Sequence, residues 1–562
     1  MKQFNNVTIG KLFFALLSIF LVIFSFSQTI YQYVNRGNVA EGKEAVIEHN
    51  YTYDYNFYLS RIREGQEGHW TVVEKYTAEP HSGSLLQVFY LYMGKLGGMI
   101  GLTPPVIYNV LRAILGFSLL YLISLYISDI FKTRKLWMQV MIFLLVVTAS
   151  SWPSAVVWVK GWPRFGNYMS WWSAIDTFQR ITFIPHILLG QLGILFFVWK
   201  LGNLTNKSNW TNWMLWGVGG FILGIIFPSA VITLYAIFFV LSVFEIVLNH
   251  SDSVKAENQR TLIPRIIFFL FSIPSLLYIQ LITKIYPWKK LVEFDLIHPL
   301  PFNFNEYLKA LGPLLILGIL GMFVVLLKRE KKLFPMVSWV LGLGLLFKVF
   351  SYIPAQSPLR FTESAMHIPL GILAGYLTIQ FWAFSKRLKW SIRLPLYILT
   401  GLLALFPIIM GINFMISTRL WLIEQADQRI IASYPAVPDG VYLANPTAEF
   451  MDGMRFLRDH TDKNYVVLGY IATGNFIPAY AGNTVFMGHA NTPFLERKIT
   501  EAERFYAGNN PDAEFWLRNN NISLVFYGPV EREWGKVEDL STFYPFFKEI
   551  YKNSTVRIYR AL

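Results

Sequence analysis

Eleven apolar stretches recur along this chain, near residues 12–30, 105–130, 136–150, 184–201, 213–227, 229–248, 266–284, 312–328, 335–350, 367–384 and 394–415. About twenty apolar residues in a helix cover the ~30 Å hydrocarbon layer of a bilayer. Within lipid each segment must satisfy its own backbone hydrogen bonds, so these stretches predict helices. The expected class is therefore a polytopic α-helical membrane protein with about 11 transmembrane helices. A composition of 54% hydrophobic and 17% aromatic residues over 562 positions agrees with it. The first stretch is long for the core of a cleavable signal, and Gln28-Thr29-Ile30-Tyr31-Gln32-Tyr33 offers no small-residue cleavage site, so it is expected to remain as a span. With no cysteine, a disulfide framework, a thiolate metal site and a cysteine nucleophile are excluded.

The connections between alternate spans are basic. They carry Lys132, Arg134 and Lys135; Lys207; Lys255, Arg260 and Arg265; Lys328, Arg329, Lys331 and Lys332; and Lys386, Arg387, Lys389 and Arg393. By the positive-inside rule these face the cytoplasm, with the amino terminus and its Lys2 and Lys11. The net charge of +14 is explained by inner loops facing anionic lipid, and no nucleic-acid partner is expected. An odd span count puts the carboxy-terminal part outside. The expected domains are residues 1–415, a membrane domain with a long first outer loop (31–104), and 416–562, a small extracytoplasmic α/β domain. In the latter, Tyr465–Leu468 and Ser523–Tyr527 read as strands, and Thr447–Asp459 and Pro493–Tyr506 as helices. Leu85–Leu102 is expected to lie in the outer interface, with Tyr90, Tyr92 and Lys95 toward the headgroups.

Polar chemistry gathers in the outer segments. The first loop holds Asp54, flanked by Tyr53, Tyr55 and Phe57, and then Glu79-Pro80-His81. The aromatic rings are placed to bury Asp54 in part, and the residues after it read as a helix start that Asp54 would cap. Ser151 to Arg180 interleaves Trp and Tyr with Lys160, Arg164, Asp176 and Arg180. The i, i+4 spacing of Asp176 and Arg180 predicts opposite charges on one helix face, as an exposed pair or lining a cleft. In Tyr286–Pro313 the early prolines argue against a regular helix, while Asn305–Leu311 suits a short one, and Lys289, Lys290 and His298 stand within reach of an anion or in a solvated interface. Tyr352–Pro369 places Arg360 and Glu363 in a short proline-bounded loop. The planar guanidinium of Arg360 suits phosphate oxygens, or the two side chains pair and pin the loop.

A carboxylate soon after the first span, a Pro-His sequence further along the same outer loop and a basic residue at the outer end of a later span together resemble the GT-C superfamily of membrane glycosyltransferases, in a protein-mannosyltransferase-like layout. MGHANTPFLERK, with His489 and Thr492, resembles an outer carboxy-terminal module of some bacterial multi-spanning glycosyltransferase-like proteins; His489 reads as a structural residue of that module. The resemblance implies a polyprenyl-phosphate-linked sugar donor, a glycan, lipid or protein acceptor, and transfer of inverting type at the outer face of the cell membrane. Such transfer needs a base for the acceptor proton and positive charge for the leaving phosphate. Asp54 is the first candidate base and Glu79 the second. His81, Asp176, Arg180, Arg360 and Glu363 are the candidate substrate-binding residues. Some branches hold a divalent cation through a D-x-D or E-x-D element. Here Asp54 precedes Tyr55 and Asn56, so no cofactor is certain, and a divalent cation (Mg or Mn) would require Asp54, Glu79 and Asp176 to converge. A transporter or lipid flippase and a non-catalytic envelope assembly protein remain as alternatives. The mostly uncharged span interiors favour the enzyme.

Overall fold

The computed structural model describes residues 2–159, 161–202, 209–248, 252–299, 302–353, 357–440 and 443–561. Lys160 and Lys207, and the side chains of Lys2, Lys255 and Arg260, lie outside the described residues. Each of the eleven expected segments coincides with a helix. Among the described residues seven helices are long and apolar enough to cross a membrane, and nine when two bent pairs each count as one span. The shorter apolar helices Leu136–Val147 and Trp210–Ile226 account for the other two expected segments. One bent pair, Phe304–Ala310 with Gly312–Lys328, turns by 89°. The turn is made at Gly312, where φ is +60° and a Cβ would lie 2.0 Å from the Ser150 carbonyl oxygen, so no other residue fits without displacement.

The chain divides into two compact units. The first comprises Met1–Phe26, Leu111–Tyr278 and Pro299–Trp421. Its helices approach through small residues, as expected where lipid supplies no hydrophobic drive between them. Gly371 and Gly375 of the His367–Ser385 helix lie against Val146 and Ile142 of Leu136–Val147, and Gly321 of Gly312–Lys328 lies against the Leu373 carbonyl. The segment 151–180, expected to be outer, departs from the sequence reading. It opens with an antiparallel hairpin, β1 (Pro153–Val159) and β2 (Trp162–Asn167), and continues in short 3-10 turns.

The second unit comprises Ser27–Val110, Ile279–His298 and Leu422–Leu562, so the long first loop and the carboxy-terminal region form one body. The boundary expected at 415/416 falls inside a single helix, Trp390–Ile431. A five-stranded sheet runs in the order β4 (Thr484–Val485), β3 (Val466–Leu468), β5 (Ile522–Tyr527), β7 (Arg557–Arg560), β6 (Lys548–Lys552). Strands β4, β3 and β5 are parallel, while β7 is antiparallel to both its neighbours. Phe57 and Tyr76 of the first loop share a core with Phe450, Phe476, Leu524 and Phe526. Burial of each such side chain is worth about 1.5–3 kcal/mol. The Thr52–Gln66 helix is also tied by Asn56 Nδ2 donating to Asn475 Oδ1 (2.8 Å) and Arg63 Nε to the Ala479 carbonyl (2.7 Å).

Two expectations for the loops are corrected here. Leu85–Leu102 contains an 11-residue helix, Val88–Gly98, too short to span a bilayer. Its Tyr90 is fully buried and stacks on Tyr58 and Tyr108 instead of facing headgroups, because Gly94 and Gly65 let this helix press against Thr52–Gln66. In the loop after residue 286, Lys290–Ile297 is helical despite the flanking prolines, which sit outside it.

Candidate functional site

Asp54 stands in the first turn of the Thr52–Gln66 helix. The N-cap is Tyr51, not Asp54, so the capping role expected for Asp54 is not the one observed. Asp54 occupies the third helical position, where a carboxylate is still favoured by the positive end of the helix dipole. Neither do its aromatic neighbours cover it: Tyr55 and Phe57 turn inward to the core, and the Asp54 side chain keeps 55% of its exposure. Its Oδ1 lies 3.6 Å from Nε2 of His489, whose side chain is 6% exposed. Burial, then the charges of Asp54 and Asp439, push the Tyr51 phenol up, so this rim of the unit carries aromatic rings beside carboxylates.

Glu79 and His81, from the same loop, are engaged differently. Glu79 accepts from Nζ of Lys498 at 2.8 Å and from the Thr77 hydroxyl. Burial raises the Glu79 carboxyl, and the Lys498 ammonium with these two bonds more than reverses that, leaving it below the usual range. A carboxylate so held is a weaker proton acceptor than a carboxylate in water. Nε2 of His81 accepts from the Glu74 amide (2.9 Å), which leaves Nδ1 as the donor to the Glu79 carbonyl (2.7 Å). Both ring nitrogens thus brace the loop, and the ring edge meets Trp288.

Asp176 and Arg180 belong to the first unit and do not share a helix face. Asp176 follows the 3-10 turn Ser173–Ile175 and Arg180 lies within the next one, Gln179–Thr182, because the Asp176 carboxylate accepts from the Phe178 and Gln179 amides and so closes a local turn in place of an α-helix. It also accepts from Asn167 Nδ2 (2.7 Å) and Thr418 Oγ1 (2.9 Å), which uses all four of its lone-pair directions. Arg180 donates Nη2 to the Val147 and Ala149 carbonyls at 2.7 and 2.6 Å, which satisfies the end of the Leu136–Val147 helix. Burial brings its guanidinium down to about 10, against a smaller upward pull from Asp176. Arg180 also lines a cavity of about 20 Å³ with Ser150, Tyr307 and His367, which has room for a water and not for a phosphate. Asp176 and Arg180 thus brace the turn that carries them and the end of the Leu136–Val147 helix.

Arg360 and Glu363 are on the turn after residue 357. Arg360 is the third residue of the 3-10 helix Pro358–Phe361, which Ser357 caps by accepting from the Leu359 amide, and it is exposed. The residues that follow are held on three sides: Trp172 Nε1 donates to Thr362 Oγ1 (2.8 Å), Gln191 Nε2 to the Glu363 carbonyl (2.8 Å) and Trp339 Nε1 to the Ser364 carbonyl (3.1 Å). The Glu363 side chain is buried, which pushes its carboxyl up to about 7 against the opposing charge of Arg360. Arg360 is thus a solvent-facing cation on a fixed turn. No group of three or more His, Asp or Glu side chains is placed to hold a metal ion among the described residues. The oxygens of Glu79 and Asp176 are already engaged as described above, which leaves Asp54 as the acid of the three with an open face.

The sequence reading set His489 aside as structural and passed over Lys498. Both sit in MGHANTPFLERK, a motif whose residue pattern carried a resemblance of its own, and that was the available signal. No family model matches the chain, and no curated protein matches it. Among solved structures, the oligosaccharyltransferase AglB of Archaeoglobus fulgidus, in complex with an inhibitory peptide and a dolichol-phosphate, matches with a TM-score of 0.50 at 13% identity, over 98% of this chain and 74% of that one. The apo form of the same enzyme gives the same values. ArnT from Cupriavidus metallidurans bound to undecaprenyl phosphate matches at a TM-score of 0.48 and 11% identity, over 97% of this chain and 98% of that one. At 13% identity the likeness to the oligosaccharyltransferase is one of fold.

Proposed function

We propose, from the GT-C fold of this multi-pass membrane protein, that it is a glycosyltransferase moving a sugar from a polyprenyl-phosphate donor to an acceptor hydroxyl or amide at the outer membrane face. The observation that carries the reading is Asp54: an exposed carboxylate on the first turn of a well-packed helix in the first outer loop, in a chain of this fold. In the proposed step Asp54 takes the acceptor proton as the acceptor atom bonds the anomeric carbon. The bond from that carbon to the phosphate oxygen breaks and its electron pair leaves with the phosphate. A single displacement of this kind inverts the anomeric configuration. Arg360 neutralises the leaving phosphate, and its planar fork matches two phosphate oxygens. Glu79, Asp176 and Arg180 hold structure, and Glu363 backs the turn that presents Arg360. The basic inner loops support a cytoplasmic amino terminus and an extracytoplasmic second unit.

The test is Asp54→Asn, which keeps size and hydrogen-bonding shape but removes the proton acceptor. A positioned base contributes about a hundred- to ten-thousandfold to rate. The purified full chain, given labelled lipid-linked sugars with and without chelator, should bind donor normally and lose nearly all transfer when Asp54 is changed. Transfer that survives Asp54→Asn at the parent rate would refute the assignment. Transfer abolished by chelator alone would show that a cation takes part and that the acid engages it.

A further inference from the structure

His489 reaches Asp54 from the carboxy-terminal region, and its geometry is unusually well determined for a histidine near the rim. Nδ1 lies 3.1 Å from the backbone N–H of Asn491 and accepts from it. In the neutral ring the proton is then on Nε2, the atom that faces Asp54 Oδ1 at 3.6 Å. The ring is clamped in that attitude. It stacks on Phe57 with centroids 4.7 Å apart and 23° between planes, and lies against Tyr76 at 5.6 Å. The turn that carries it is pinned by Thr492, whose Oγ1 accepts from the His489 amide (3.3 Å) and donates to the Tyr76 carbonyl (2.9 Å). Gly488, just before it, has its backbone against Gly474, where any Cβ would come within 2.4 Å of main-chain atoms.

Resting on the reading of Asp54 as base, we propose that His489 is its positioning residue: a neutral imidazole that donates Nε2–H to Oδ1 and fixes the carboxylate so that Oδ2 takes the acceptor proton. The Asp54 side chain is 55% exposed, and among the described residues His489 is the side-chain donor that faces its carboxylate. The separation of 3.6 Å is one small closure from hydrogen-bond length, and catalytic hydrogen bonds commonly tighten when substrate excludes water. The imidazole stays neutral throughout: the proton leaves the acceptor, arrives at Oδ2, and Nε2–H remains in place. The MGHANTP turn then has a chemical role in addition to its packing.

The experiment uses the full chain in lipid nanodiscs with labelled lipid-linked sugar. His489→Phe keeps the stack on Phe57 and removes the donor, while His489→Gln places an amide N–H near the position of Nε2. The expected results are a kcat about 10- to 100-fold lower in His489→Phe with donor KM unchanged, since misplacement of about 1 Å can cost a hundredfold. His489→Gln should recover most of that loss, and Asp54→Asn combined with His489→Phe should be no slower than Asp54→Asn alone. Both His489→Phe and His489→Gln lose the Nδ1 acceptor of the Asn491 amide and should melt at similarly lowered temperatures, so their difference in kcat reads the Nε2–H donor. Independently of activity, the ¹⁵N resonances of His489 should report the Nε2–H tautomer and shift in Asp54→Asn. An inactive Asp54→Asn beside a fully active His489→Phe would overturn the inference and leave Asp54 as base. A fully active Asp54→Asn would overturn both.

Discussion

The pairing of Lys498 with Glu79 carries a prediction whose size follows from its burial. The Lys498 side chain is 1% exposed, and its ammonium donates to Glu79 Oε2 at 2.8 Å, the Phe486 carbonyl at 3.0 Å and Thr77 Oγ1 at 3.2 Å. Three donors meet three acceptors, so the buried charge is fully satisfied. Lys498→Met keeps the packed stem and removes the charge, leaving the Phe486 carbonyl and the Glu79 carboxylate without their partner. Breaking a buried pair from one side costs about 3–5 kcal/mol. Glu79 remains 35% exposed and recovers some solvation, so about 2–3 kcal/mol is expected. In the double variant Lys498→Met with Glu79→Gln no uncompensated charge remains, and the loss should fall to about 1 kcal/mol. Urea unfolding of the purified chain, followed by the tryptophan signal, reads both. The pH dependence has a definite sign. The Glu79 carboxyl is depressed in the fold, so its stabilising effect is present above its unfolded pKa and disappears as the pH falls through the folded one. The gap between parent and Lys498→Met should therefore shrink below about pH 4.5. Glu79→Gln should keep transfer activity, as a structural acid would. A Lys498→Met chain within about 0.5 kcal/mol of the parent at pH 7, or a double variant less stable than the single one, would refute the argument.

Two further predictions concern the turn of the first unit. Glu363 is raised from 4.5 to about 7, so it favours the fold below its unfolded pKa and that contribution is lost as the pH rises through about 7. The gap is worth about 3 kcal/mol at most; Glu363→Gln should raise the melting temperature above pH 7 and leave it unchanged at pH 4, and equal shifts at both pH values would disprove the burial argument. Arg360→Lys keeps the charge and loses the planar fork, so donor affinity should weaken about ten- to a hundredfold, the equivalent of about 1.5–3 kcal/mol, at unchanged stability. Donor affinity equal to the parent in both Arg360→Lys and Arg360→Ala, measured by equilibrium binding of a polyprenyl phosphate, would remove Arg360 from the donor site.

The membrane helices were legible because a segment in lipid answers to its own composition: each must close its backbone hydrogen bonds whatever its neighbours do. Two of the five strands in the second unit were legible for a similar local reason, since Val466–Leu468 and Ile522–Tyr527 alternate with helices of clear pattern, whereas Thr484–Val485, Lys548–Lys552 and Arg557–Arg560 went unread. Asp176 and Arg180 were misread because i, i+4 spacing says nothing about whether an aspartate will close a turn on its own following amides, as this one does. The deeper limit lies in the acids themselves. Asp54, Glu79, Asp176 and Glu363 are equivalent as letters, and what separates them is their partners, which lie far away in sequence. Lys498 is 419 residues from Glu79, and Thr418 is 242 from Asp176. The partners remove one acid after another: Glu79 is held by an ammonium, Asp176 is filled by four donors, and Glu363 is buried until its proton is hard to lose. A base needs an ionised carboxylate that an acceptor can reach, and Asp54 is the acid of the four that meets this on exposure alone. Its partner His489 faces one carboxylate oxygen at 3.6 Å and leaves the side chain 55% exposed, whereas the partners of the other acids occupy them and burial closes Glu363. Neither that pairing nor that exposure can be read from the sequence, because both follow from which distant segments fold against the first turn of the Thr52–Gln66 helix.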